Sequence, residues 1–106
     1  MHLKIGTTPL RVKYRDEELR FIIDEMIDGV PETIGFKDLC YKIIEKAKDE
    51  GQLDAPADAS YQWLELDRRD VMRVNRILWE EINAGALVFD FDTTHYDSPD
   101  TYFMRP

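Results

Sequence analysis

The chain has a single cysteine, Cys40, in 106 residues, so it can form no internal disulfide and has no second thiol with which to begin a zinc pattern. Disulfide scaffolds and zinc fingers are excluded. No apolar run approaches the roughly 20 residues a bilayer span requires, and the opening MHLKIGTTPL lacks the long apolar stretch of a secretory signal. A soluble, cytoplasmic protein with no membrane partner is the expectation. The sequence also lacks a glycine-rich phosphate loop, a nucleophile elbow and any pair of histidines at metal spacing. Neither catalysis nor a cofactor is expected.

Positive charge is scarce as well. With 14 Lys and Arg against 22 Asp and Glu, the net charge is −8, and a uniformly acidic surface repels a phosphate polyanion. The cations are unevenly placed, however. Residues 1–15 hold Lys4, Arg11, Lys13 and Arg15 without an acid, for +4, and residues 68–76 hold Arg68, Arg69, Arg73 and Arg76 against Asp70, for +3. The remaining residues carry −15. Such asymmetry suits a basic recognition face with an acidic back; a solvated acidic surface that aids solubility is the competing explanation.

What the chain does have is 43% hydrophobic and 11% aromatic residues, enough for the core of one modest domain. Leu19, Ile22, Ile23, Met26 and Ile27 recur at helical spacing and predict a first helix from Asp16 to just before Gly29. A second helix is predicted from Phe36 to Glu50, with Phe36, Leu39, Cys40, Ile43 and Ala47 on one stripe. Gly29 and Gly51 are read as left-handed helix stops. Cys40 falls in the apolar stripe and is read as a small core residue. After the polar QLDAPAD, the segment SYQWLEL suits a short strand or an extended arm, with Trp63 and Leu66 as apolar anchors.

The third helix is marked by Asp67 as N-cap and by an apolar stripe of Val71, Val74, Leu78 and Ile82. At about 100° per residue, Arg69, Arg73 and Arg76 fall within roughly 60° of one another and opposite that stripe. Outward-facing guanidinium groups on a third helix suit guanine edges or phosphates in a major groove. The structural alternative pairs them with Asp70 or Glu80 on the same helix. Beyond Gly85, ALVFDF and TYFMRP can pair across DTTHYDSPD as a two-stranded wing whose tip is acidic. Asp90, Asp92, His95, Asp97 and Asp100 do not make a calcium loop, which would need glycine at its sixth position and glutamate at its twelfth. An acidic exposed hairpin is expected there.

The order helix, helix, helix, strand, acidic loop, strand, and above all ILWEEINAGALVFDF followed by YFMRP, resembles the winged helix-turn-helix superfamily in its bacterial and archaeal forms. The resemblance covers about residues 16–105 and implies an α+β fold: a three-helix winged helix with a C-terminal β-hairpin wing, Ala86 to Met104, after a helix stop at Gly85. It implies that Arg69, Arg73 and Arg76 are recognition-helix residues. The long 51–66 loop and the acidic wing depart from the pattern. Residues 1–15 are expected to be a basic arm or an extra strand, with Leu10, Val12 and Tyr14 on one side and Arg11, Lys13 and Arg15 on the other, ahead of a winged-helix domain over 16–106. The functional expectation is a non-catalytic DNA-binding regulator or recruitment factor that contacts double-stranded DNA through Arg68, Arg69, Arg73, Arg76, Lys13 and Arg15. The alternative is an acidic protein-docking adaptor; the aromatic strand edges also allow a homodimer.

Overall fold

Two short sheets flank three helices whose apolar stripes face one another. The structure, a computed structural model, describes residues 8–30, 33–54, 64–90 and 100–106. In chain order these form β1 (Thr8–Val12), α1 (Asp16–Asp28), β2 (Ile34–Gly35), α2 (Phe36–Asp49), β3 (Leu53–Asp54), β4 (Leu64–Leu66), α3 (Arg68–Asn83), β5 (Val88–Phe89) and β6 (Tyr102–Met104). Leu19 and Ile23 of α1, Leu39, Ile43 and Ile44 of α2, and Ile77 and Leu78 of α3 are fully buried together with Leu87. The architecture is α+β, three helices with a β-wing. Trp63, His2, Lys4 and the wing-tip residues Asp92, His95 and Asp97 lie outside the described residues.

The wing sheet has the order β2-β6-β5, all antiparallel, with Ile34 opposite Phe103 and Phe89 opposite Phe103 on the other side. Thr33 Oγ1 adds a hydrogen bond to the carbonyl of Phe103 at 3.0 Å. Where β2 becomes α2, the N-cap position is Gly35, which has no side chain with which to cap. Asp100 does this from across the sheet: both of its carboxylate oxygens accept from the backbone N–H of Lys37, each at 3.1 Å. A methyl group at Gly35 would run into Asp100 Oδ2 and lie 3.1 Å from Tyr102 Cε1. Gly35→Ala is therefore expected to displace the cap and cost about 1–2 kcal/mol, read as a lowered midpoint in urea unfolding; an unchanged midpoint would mean that Asp100 moves aside freely.

The added N-terminal strand is present and belongs to the second sheet, of order β3-β1-β4. β1 runs parallel to β4, with Thr8, Pro9 and Leu10 opposite Leu64, Glu65 and Leu66, and antiparallel to β3, with Arg11 and Val12 opposite Asp54 and Leu53. Pro9 fits here because backbone groups alternate sides along a strand. Leu10 faces β4, since its carbonyl accepts from Asp67 N at 2.9 Å, so Pro9 faces the side on which β3 reaches only Arg11 and Val12. The missing N–H leaves no ladder bond unmade.

Helix ends follow the predicted signals with one exception. Gly51 and Gly85 take positive φ, 70° and 78°, as left-handed stops. Gly29 does not: its φ is −79°, and α1 closes on right-handed geometry with Gly29 N–H bonded to Glu25 O at 3.0 Å. The next residue but one is Pro31, which disfavours helical geometry at Val30, so α1 ends there without a left-handed residue.

Candidate functional site

Beyond Leu66 the chain leaves the sheet to start α3, so β1 loses its neighbour and the N–H of Val12 would be orphaned inside the protein. The Asp70 side chain takes the place of the missing strand. Its Oδ2 accepts from Val12 N at 3.0 Å, and Oδ1 accepts from Arg11 Nη2 at 3.0 Å and Arg73 Nη1 at 2.8 Å. Asp70 is fully buried. Burial works to raise its pKa, but the hydrogen bonds from Arg11, Arg73 and Val12 N–H outweigh it and hold the carboxyl below the usual carboxylate range. The aspartate that sequence reasoning placed in the first helical turn as an N-terminal charge is thus the link between β1 and α3.

The arginines of α3 are drawn into this network. Arg73 also donates through Nε to Asp16 Oδ1 at 2.9 Å and through Nη2 to the Tyr14 carbonyl at 2.6 Å, leaving only 19% of its side chain exposed. Arg76 meets the other oxygen of Asp16 at 2.6 Å. Arg69 folds back on the N-cap, with Nε 3.0 Å from Asp67 Oδ1. Three acids, Asp67, Asp70 and Asp16, therefore serve these three arginines, and Asp16 is held below its usual pKa first of all by its hydrogen bond to Arg73. The expectation that Arg69, Arg73 and Arg76 share an outward face is corrected at Arg73. The buried stripe is Asp70, Val74, Ile77, Leu78 and Glu81, rotated from the predicted one, so Arg73 lies on its flank and reaches α1.

The other expected contacts are scattered. Arg15 is exposed at the start of α1, with Nε 3.4 Å from Glu18 Oε1. Arg11, expected on the same strand face as Lys13 and Arg15, instead turns to Asp70. Lys13 and Arg68 are exposed and make no ion pair among the described residues. Glu80 pairs with Arg20 of α1 rather than with an arginine of its own helix.

In place of a free cationic face, the outer side of α3 presents Met72 and Trp79, 63% and 46% exposed. Trp79 meets Phe89 edge-on at 5.1 Å between ring centroids, and Phe89 lies 5.4 Å from Phe103. These rings join α3 to the wing beside a cleft of about 380 Å³ that also includes Phe36 and Asn75. Two further clefts, of about 540 and 440 Å³, run on either side of α1 with Phe21 common to both. Phe21 is 65% exposed. Sequence reasoning missed it because it sits between the acidic residues of α1, off the apolar stripe.

A second buried carboxyl lies near the opposite end of α3. Glu81 faces Asp24 of α1 and Arg105, whose Nη1 is 3.8 Å away, and its Oε2 has no hydrogen-bond partner among the described residues. Burial first, then the adjoining Asp24, push its pKa up to about 7. Arg105 meanwhile donates to Asp28 at 2.8 Å, to Asp24 at 3.2 Å and to the Ala86 carbonyl at 2.9 Å, fastening the end of the wing to α1. Cys40 is buried, and burial pushes its thiol up to about 12, too high for a nucleophile at neutral pH. Among the described residues no cluster of His, Cys, Asp and Glu has the arrangement to hold a metal ion, and no helix is long and apolar enough to cross a membrane.

No protein-family model, curated protein or solved structure matches this chain.

Proposed function

We propose that this chain is a non-catalytic adaptor of the winged helix-turn-helix type that works in the cytoplasm by docking on a protein partner. The element order and the β2-β6-β5 wing sheet support the superfamily. The observation that carries the adaptor reading is the neutralisation of the α3 arginines: Asp67, Asp70 and Asp16 occupy Arg69, Arg73 and Arg76. To contact phosphates these arginines would have to break ion pairs, one of them to a fully buried acid, and the acidic remainder of the surface would repel the duplex. The exposed apolar residues Met72, Trp79 and Phe21 suit a protein interface instead.

Duplex DNA binding is the second reading, favoured by Arg68 and Lys13, which are exposed and make no ion pair among the described residues. A salt titration of a fluorescent duplex by anisotropy separates the two. The adaptor reading expects no affinity tighter than about 100 µM even in low salt. A log-log salt slope near −3, the mark of about three phosphate contacts, together with its loss in Arg68→Ala with Arg69→Ala, would overturn it in favour of DNA.

A further inference from the structure

The outer face of α1 combines an exposed aromatic ring with carboxylates that have no ion-pair partner among the described residues. Glu17, Phe21 and Glu25 are spaced four residues apart, which stacks them along a single line on the helix surface. The helix carries six carboxylates, Asp16, Glu17, Glu18, Asp24, Glu25 and Asp28, against Arg20 alone. Most of these have a cation: Asp16 has Arg73 and Arg76, Glu18 has Arg15, and Asp24 and Asp28 share Arg105. Glu17 and Glu25, on either side of Phe21, have none among the described residues.

The clefts beside this ridge are acidic in the same way. Toward α3 the cleft is lined by Asp16, Glu17, Asp24 and Glu80, and its cations Arg20 and Arg76 are already paired with Glu80 and Asp16. Toward α2 it is lined by Glu17, Glu18, Glu25 and Glu50, and Lys46 is 3.1 Å from Glu50. A lone exposed phenylalanine is ordinary on a protein surface. A phenylalanine between two grooves, bracketed by glutamates without a cation among the described residues, has a defined complement.

Resting on the adaptor reading, we infer that the Glu17–Phe21–Glu25 ridge of α1 docks a basic amphipathic segment of a partner protein. Its apolar side chains pack on Phe21 and into the flanking grooves, and its lysines or arginines pair with Glu17 and Glu25. A second copy of this chain does not suit the ridge, because two-fold pairing would set the same carboxylates against one another. Nucleic acid is repelled for the same reason.

The test uses three synthetic probes: an amphipathic Leu/Lys helical peptide of about 18 residues, its Leu/Glu counterpart, and an oligolysine of equal charge. Binding to the full chain is followed by amide chemical shifts and by anisotropy. The Leu/Lys peptide is expected to bind, with shifts centred on Glu17, Phe21 and Glu25. Phe21→Ala, a change at an exposed position, should weaken binding about tenfold. Glu17→Lys with Glu25→Lys should abolish it and transfer preference to the Leu/Glu peptide. Oligolysine binding as tightly as the Leu/Lys peptide, or indifference to Phe21→Ala, would overturn the proposal. So would shifts centred on Met72 and Trp79, although that result would leave the adaptor reading standing on a different face. Duplex affinity, measured separately, would remove the adaptor reading without moving the peptide shifts.

Discussion

Asp70→Ala is expected to lower stability by about 3 kcal/mol, among the largest effects any single substitution in this chain can have. Three donors lose their acceptor at once. The N–H of Val12 has no strand to turn to, because β4 ends at Leu66, and it is left buried and unpaired. Arg11 and Arg73 keep some access to water, and Arg73 keeps Asp16, which holds the cost near the lower end of the range for breaking a buried ion pair. In thermal unfolding the loss corresponds to roughly 10–20 °C for a domain of this size. Asp70→Asn retains an acceptor for Val12 and should lose about half as much. A change below about 1 kcal/mol for the alanine variant would mean that water substitutes for the carboxylate and that the network does not tie β1 to α3. Because the folded-state pKa of Asp70 is depressed, its contribution is present above its ordinary value of 3.8 and is lost as pH falls below that toward the folded value.

Glu81 has the opposite sign. Its folded pKa, about 7, lies above the ordinary 4.5, so between those values the folded chain holds a proton that the unfolded chain has released. Stability from this group is complete below pH 4.5 and declines as pH rises through about 7, by roughly 3 kcal/mol in total. The macrodipole of α3 works in the same direction, since Asp70 lies in its positive first turn and Glu81 near its negative end. Glu81→Gln fixes the side chain in a neutral form. Denaturation at a series of pH values should find the variant equal to the parent near pH 4.5 and more stable by about 2–3 kcal/mol at pH 8. Parallel pH profiles for the two proteins would show that Glu81 ionises freely and that Arg105 compensates the charge.

The helices were readable because their signals are local. Asp67, Gly51 and Gly85 do in the structure what their positions in the sequence indicate, and the periodic apolar residues set the bounds of α1, α2 and α3 within a residue. The rotation of α3 was legible too, had Ile77 been counted in its stripe: adding it moves the centre toward Asp70 and puts Arg73 on the flank. What no local pattern could give is partnership. Arg11 meets Asp70 and Arg76 meets Asp16 across 59 and 60 residues of chain, so an arginine that looks free on a helical wheel is spoken for by an acid from another element. The alternation of Leu10, Val12 and Tyr14 predicted a strand and SYQWLEL suited one over Leu64–Leu66, yet nothing local says that the two pair, and the other neighbour, Leu53–Asp54, is too short to announce itself. Phe21 was passed over for a related reason: an exposed ring carries no periodic signature.

The parallel pairing of β1 with β4 has a kinetic corollary. Thr8 lies beside Leu64, and both α1 and α2 intervene between them. Closing so long a span costs entropy that grows only slowly with its length, but the reward arrives late, once both intervening helices have docked. The strand that emerges from the ribosome ahead of these helices is consequently expected to find its neighbour late, and such non-local closures, this one and that of β2 with β6, weigh more on the folding rate than how fast any helix winds.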